Sequence, residues 1–297
     1  MSKYLSHLSI VGIGLTIGLS GTANALTITP TDDGNALANA ILGEGITVSP
    51  GSISYTGASG ASGFFDDGLA AGISIESGII LSSGQAINAE PPNEFDDASS
   101  NNNFAGDSDL TTLSGLNTFD AATLEFEFES KGGDLSLNFV FASEEYNEFV
   151  DNDSSDAFGF FLNGKNIALI PGTSTPVSIK TVNGGDPFGT DANNPEFFNN
   201  NDLSDGGPFF DIEYDGFTDV FTAQAVGLSA GTHTIKLAIA DADDDALDSA
   251  VFIAANSFSN QEDPDSVKTP EPFSIISLLA LGLFGSGSIF KRNIIRK

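Results

Sequence analysis

The sequence predicts an all-β protein, an antiparallel β-sandwich of jelly-roll or lectin-like kind with long Asn/Asp-rich loops. Three observations lead there. In Leu124-Glu125-Phe126-Glu127-Phe128-Glu129 apolar and acidic residues alternate strictly, so one face is buried and the other wet. Similar short runs recur down the chain with Gly, Asn and Asp between them. No stretch between the termini keeps a helical period for more than about two turns; the best, Asn35 to Leu42, is short.

Lys131-Gly132-Gly133-Asp134 reads as the turn of a hairpin, joining the strand that ends near Glu129 to one built on Leu135, Leu137, Phe139 and Phe141. Phe158, Phe160 and Leu162 form the next strand, closed by Asn163-Gly164. Val177 with Ile179 suggests another, and Phe221, Ala223 and Ala225 a further one. Ala230-Gly231 opens the strand of Ile235, Leu237 and Ile239, and Val251 with Ile253 marks the last. With 25 Phe and no Trp, phenylalanine should dominate the core. Three polar stretches interrupt the strands: Asn88 to Asp109, Asn183 to Asp211, and Asp241 to Asp248. The first two are of a length usually functional or disordered within a compact domain.

The charge balance excludes several function classes. All 41 Asp and Glu lie between Leu26 and Pro272, opposed there only by Lys131, Lys165, Lys180, Lys236 and Lys268. Such a field repels nucleic-acid phosphates and anionic lipid, and it attracts cations. A nucleic-acid partner is therefore not expected. Cysteine is absent, which removes disulfides and thiol chemistry.

Both termini read as address signals. Lys3 opens a weakly basic start, Leu8 to Leu19 is an apolar run, and Ala23-Asn24-Ala25 is a cleavage site, so a signal peptide would end at Ala25. At the other end Pro270-Glu271-Pro272 leads into an uncharged run from Phe273 to Phe290, followed by Lys291-Arg292 and Arg296-Lys297. As a helix that run would rise about 27 Å, enough for one transmembrane segment, with the basic end cytoplasmic. The tail resembles the bacterial PEP-CTERM sorting signal. The resemblance implies an exosortase partner that cleaves near Pro270-Glu271-Pro272, a transient membrane anchor, and a final place in the cell envelope, at the surface or outside the cell. The chain thus divides into a signal peptide (1–25), a β-sandwich domain (26–259), a linker (260–269) and the sorting signal (270–297).

Within the domain, Phe139-Val-Phe-Ala-Ser-Glu-Glu-Tyr146, Asp156-Ala-Phe-Gly-Phe-Phe-Leu162 and Asn166-Ile-Ala-Leu-Ile-Pro-Gly172 resemble the choice-of-anchor L domain of bacterial surface proteins. So do Gly106-Asp-Ser-Asp-Leu110, Ile239-Ala-Asp241 and Asp248-Ser-Ala-Val-Phe252, and the likeness runs from about Ala36 to Phe258. Members carry one of several alternative C-terminal anchors, as this tail would be. The resemblance implies no catalytic residue, and for His233 it implies a structural role.

Two acidic segments beside strands are the candidate site. Glu144, Glu145, Glu148, Asp151, Asp153 and Asp156 crowd one, and Asp241, Asp243, Asp244, Asp245 and Asp248 the other. Crowded carboxylates repel, and a divalent cation relieves that repulsion. Glu144, Glu145, Asp156, Asp241 and Asp248 stand at strand ends beside apolar residues and are the expected calcium ligands, since calcium takes six to eight oxygens in irregular geometry. The run Asp243-Asp244-Asp245 reads as solvated. Neither segment is an EF-hand: twelve-residue frames from Asp151 and Asp241 place Leu162 and Phe252 at the bidentate position.

Catalysis is not expected. His233 is the one histidine after the signal peptide, no G-x-S-x-G elbow accompanies it, and zinc ligands and a phosphate loop are lacking. A two-carboxylate glycoside hydrolase is the remaining chemistry that the composition permits. The expected function is a secreted, exosortase-sorted surface or extracellular-matrix protein with a structural or adhesive domain, stabilised by calcium. The alternative is a calcium-dependent carbohydrate-binding module using Phe95, Phe104, Phe188, Phe197-Phe198, Phe209-Phe210, Tyr146 or Tyr214. Exopolysaccharide or other surface proteins are the expected partners.

Overall fold

Two strands of unusual length set the architecture. A computed structural model describes residues 25–152 and 155–260. The rest of the expected signal peptide, Asp153, the linker beyond Asn260, and the sorting tail with Pro270, Glu271 and Pro272 lie outside the described residues. Twelve strands are found among the described residues. They are β1 (Thr27–Pro30), β2 (Thr47–Val48), β3 (Ser54–Thr56), β4 (Ser62–Asp66), β5 (Gly78–Ser82), β6 (Thr118–Ser143), β7 (Ala157–Leu162), β8 (Lys165–Asn166), β9 (Phe198–Asn200), β10 (Gly216–Thr218), β11 (Phe221–Ala242) and β12 (Ser249–Ala254). Helices α1 (Gly34–Ile41), α2 (Gly68–Ala71) and α3 (Ser108–Ser114) are short. Among the described residues, no helix is long and apolar enough to cross a membrane.

Strands β6 and β11 pair antiparallel along nearly their whole length and pass through both layers of the sandwich. The first half of β6 lies between β11 and the small strands β2 and β3, with β7 and β8 beyond β11. Its second half lies between the start of β11, with β10 alongside, and β12, beyond which come β5, β4 and β1. All these pairs are antiparallel.

The expected hairpin at Lys131-Gly132-Gly133-Asp134 is therefore corrected: these residues are a bend inside one continuous strand. The inward positions are even before it (Leu124, Phe126, Phe128) and odd after it (Leu135, Leu137, Phe139, Phe141). Gly132 and Gly133, at φ 92° and 105°, absorb the phase slip, and β11 answers with a bulge between Ala225 and Leu228. Likewise Ala230-Gly231 lies inside β11 rather than at a strand start.

The bend folds the chain onto itself, and the two halves share one core. Phe139 of one layer meets Phe158 and Phe160 of the other at ring-centroid distances of 5.5 and 5.0 Å, and Phe141 stacks on Phe158 at 4.8 Å. Each such ring contributes about 1.5–3 kcal/mol through burial. The predominance of phenylalanine expected from composition is observed, since it supplies most of the largest fully buried side chains.

Val177 and Ile179 are buried as expected but belong to no strand. Ser178 and Thr181 close a turn there, through Ser178 N–H donating to Thr181 Oγ1 at 2.9 Å and Val182 N–H to the Ser178 carbonyl at 3.0 Å. Helix α1 forms where the sequence put its best helical stretch, capped by Asp33, whose carboxylate accepts from the N–H groups of Asn35 and Ala36. Helix α3 covers the outer face of β7 and β11, with Leu110 against Ala157, Phe161, Ala238 and Ala240. Its cap Asp107 also pairs with Lys236 at 2.8 Å.

The bend has a consequence for position. Both ends of β6 reach the same end of the sandwich, where they meet the last residues of β11 and the first of β7 and β12. This end is called the acidic pole below, and the end holding Gly132-Gly133 the glycine pole.

Candidate cation site

Every one of the five expected ligands stands at a strand end of the acidic pole. Glu144 and Glu145 follow β6, Asp156 precedes β7, Asp241 is next to last in β11, and Asp248 precedes β12. All five are buried, with at most 6% exposure (Glu145). Burying a carboxylate requires a proton, a counter-charge or donors around it.

Donors are few. Glu145 Oε2 accepts from the Asp156 N–H at 2.9 Å, and Asp156 Oδ1 from the Ala242 N–H at 3.3 Å. Asp248 Oδ1 accepts from the Ser100 N–H at 3.1 Å. Among the described residues, both oxygens of Glu144, both of Asp241, and Oδ2 of Asp156 and of Asp248 are buried without a well-formed hydrogen bond, although Ser83, Ser249 and Asn88 approach Asp241, Asp156 and Asp248 closely enough to favour their charged forms.

The electrostatics follow. Burial, with the charges of Asp248, Asp120 and Glu145, pushes Asp241 up to about 9. Burial, with Glu145 and Asp241 nearby, holds Asp156 well above the usual carboxylate range. Burial raises Glu145 to about 7 and Asp248 to about 7. Glu144 is also held well above its ordinary value, first by burial and then by Glu213, which faces it. The structure thus joins Glu145, Asp156 and Asp241 in one group and turns Glu144 toward Glu213. Asp248 lies between them, its charge felt by both Asp241 and Glu144.

Asp120, which sequence reading left aside, completes the pole. It sits at φ 49° where the β6–β11 register slips, and is 1% exposed. Its carboxylate accepts from the N–H groups of Asn102, at 2.7 Å, and Phe104, pinning the first long loop. Asp243, Asp244 and Asp245 are exposed, as the solvated reading expected.

A second acidic group was missed altogether. Asp96, Asp202 and Asp215 bring one carboxylate oxygen each within 4.8 Å of one another. Asp96 lies in the first long loop, and Asp202 and Asp215 stand at the two ends of the loop between β9 and β10, so no local spacing announces them. Of the other residues in the expected clusters, Glu148 reaches toward this second group, accepting from Ser204 Oγ at 3.2 Å.

His233 has a structural place. Its Nδ1 accepts from Asn163 Nδ2 at 2.9 Å and its Nε2 faces the Ser229 carbonyl at 2.9 Å, with Phe128 beside the ring. Of the aromatic residues considered for ligand contact, Tyr146 and Tyr214 are buried, which corrects their reading as contact surface. Phe197, Phe198 and Phe210 tack the loops down onto Phe221, Tyr146 and Phe217. Phe104 is half-buried, whereas Phe95, Phe188 and Phe209 are exposed.

A sequence comparison now places the chain among known proteins: the family model described as Choice-of-anchor L domain matches residues 27–259. No curated protein and no solved structure matches. The family match points to a surface-anchored, non-enzymatic protein.

Proposed function

The chain belongs to the choice-of-anchor L family, and on that premise we propose that it is an exported bacterial surface or matrix protein with a structural or adhesive sandwich, its acidic pole neutralised by calcium. In this reading the signal peptide ends at Ala25, and an exosortase acts near Pro270-Glu271-Pro272. The transient anchor is then lost and the domain passes to the envelope or beyond. The tail sequence supports the sorting step, as the family supports the surface location.

One observation carries the calcium reading: among the described residues, six carboxylate oxygens of Glu144, Asp156, Asp241 and Asp248 are buried without a well-formed hydrogen bond. Hard oxygen ligands in irregular array suit calcium, and the group offers no sulfur or imidazole for softer metals. The test is thermal unfolding of the full chain in chelator and in saturating calcium. Calcium should raise Tm by about 5 °C or more at a hundredfold excess over Kd. Asp241→Asn should shrink that rise. Equal melting temperatures with and without calcium would sink the reading.

A second reading rests on the exposure of Phe95, Phe188 and Phe209, at 60%, 48% and 61%, on the long loops. Large apolar side chains held in water are candidates for contact with the apolar faces of a sugar. A glycan array in calcium distinguishes the two: selective binding supports a lectin-like module, and no binding supports the structural component.

A further inference from the structure

We propose that Asp96, Asp202 and Asp215, with the side-chain carbonyl of Asn93, form a divalent cation site of calcium type, distinct from the group of Glu145, Asp156 and Asp241 and adjoining it through Glu144, which feels the charge of Asp215. The three carboxylates converge to within 4.8 Å. Asp202 and Asp215 are fully enclosed, at 1% and 0% exposure, whereas Asp96 is exposed and leaves an entrance from solvent.

Proximity of acids alone would not make a site. Independent support comes from Asn93, which is 4% exposed and belongs to none of the acidic runs. Its Nδ2 donates to Asp215 Oδ1 at 2.9 Å and to the Asn201 carbonyl at 3.2 Å, which fixes the amide against the triad. Among the described residues, its Oδ1 is buried without a hydrogen-bond partner, and so are Oδ2 of Asp202 and Oδ2 of Asp215. A buried amide oxygen without a partner needs a donor or a cation, and the neighbouring Asp215 supplies a donor only while it is protonated. The three carboxylates offer converging oxygens, Asn93 Oδ1 lies on the amide that is bonded to Asp215, and water can complete the six to eight ligands that calcium takes.

The surrounding loops are built to hold this arrangement. Asp202 Oδ1 accepts from the Ser204 N–H at 2.6 Å, which leaves Oδ2 for the site. Asn201 anchors both sides of the turn, with Nδ2 donating to the Ile212 and Tyr214 carbonyls and Oδ1 accepting from the Phe209 and Phe210 N–H groups. The Asn201 N–H donates to the Asp215 carbonyl at 2.8 Å, closing the two ends of the β9–β10 loop on each other.

The test is calorimetric titration of calcium chloride into the chelator-treated full chain, with terbium luminescence as a second reporter. Asp202→Asn and Asp215→Asn keep shape and remove charge, so each should weaken binding at this site about tenfold or more. Asp96→Asn lies at the surface, where it cannot unfold the chain, and should also weaken binding about tenfold. Asp241→Asn serves as the control for the neighbouring group and should leave this site unchanged. If Asp241→Asn abolishes all binding while Asp96→Asn and Asp202→Asn bind as the parent does, the site proposed here is wrong and the five-carboxylate reading stands. If Asp96→Asn and Asp202→Asn weaken a site that Asp241→Asn spares, the present site is established whatever becomes of the other. No calcium uptake by the parent chain up to about 10 mM, above the range of extracellular calcium modules, overturns both.

Discussion

At the glycine pole, β6 and β11 turn through Gly132-Gly133 and the Ala225–Leu228 bulge with their backbones near water and Val226 81% exposed. At the acidic pole, the ends of the same two strands carry Asp120 and Asp241 into the interior at 1% and 0% exposure. One pole is shaped by backbone freedom and tolerates whatever faces solvent. The other is shaped by side-chain chemistry, with charge enclosed by neighbouring loops. The difference teaches that strands folded back on themselves bring their termini together. Their glycines at one end therefore create the carboxylate crowding at the other.

Substitution at two glycines should break that contrast most sharply. A Cβ on Gly84 would stand 1.6 Å from Asp248 Oδ2 and 2.0 Å from its Cγ, so the buried carboxylate would have to move. Gly84→Ala should therefore destabilise by about 3 kcal/mol or more, through overpacking plus displacement of a buried carboxylate. Gly133→Ala meets nothing within 4 Å and suffers only from its φ of 105°. Its loss should be about 1–2 kcal/mol. Urea unfolding of both variants checks the ranking, and equal losses would mean that the poles do not differ as described.

Proton linkage comes next in size. Glu145 and Asp248 are raised to about 7, Asp215 to about 8 and Asp241 to about 9, each chiefly by burial. A carboxyl group raised in the fold binds its proton more tightly there than in the unfolded chain. Its stabilising effect is complete below the unfolded value, near 4, and is lost as pH climbs through 7 to 9. In chelator, stability should fall with rising pH by up to about 1.4 kcal/mol per pH unit for each such group. Glu144, Glu213 and Asp156 face these groups, are likewise raised chiefly by burial, and belong to the same titration, with the charge of Asp120 acting on Asp241 and Asp248. Calcium should flatten the slope, and Asp241→Asn should reduce it in chelator. A flat profile from pH 5 to 9 in chelator would contradict the enclosed-charge account of the acidic pole.

The smallest effect belongs to His233 near the glycine pole. His233→Gln removes the paired contacts to Asn163 and Ser229 and should cost about 1 kcal/mol, with no change in calcium response. A changed calcium response would couple two poles that the fold keeps apart.

The fold was legible where local pattern decides it. Alternation marked β6, β7, β11 and β12, and the switch from even to odd inward positions around Gly132-Gly133 stood in the sequence. Its meaning did not, because a glycine pair ends a strand or bends it according to what pairs alongside, and β11 runs past the bend without a break. Strand β5 was missed: Gly78-Ile-Ile-Leu-Ser82 is buried on both faces and so shows no alternation. The five expected ligands were readable as carboxylates at strand ends. The group of Asp96, Asp202 and Asp215 was not, since loop closure over more than a hundred residues brings it together and no sequence spacing records that.

The last described residues bear on how the domain meets mechanical load. Phe258 lies edge-on against Phe126 and Phe128, at 5.6 and 5.0 Å between ring centroids. Its backbone is clipped to the end of α1, with its N–H donating to the Ile41 carbonyl at 2.9 Å and its carbonyl accepting from the Gly43 N–H at 2.8 Å. Ser259 exchanges two backbone hydrogen bonds with Ser136, at 2.9 and 3.1 Å. A pull on the chain beyond Asn260 therefore meets the Asn260 N–H bond to the Glu44 carbonyl, then these four bonds and an aromatic plug, before any loop can extend. The force enters at the core of the sandwich, where α1 and β6 share the tension.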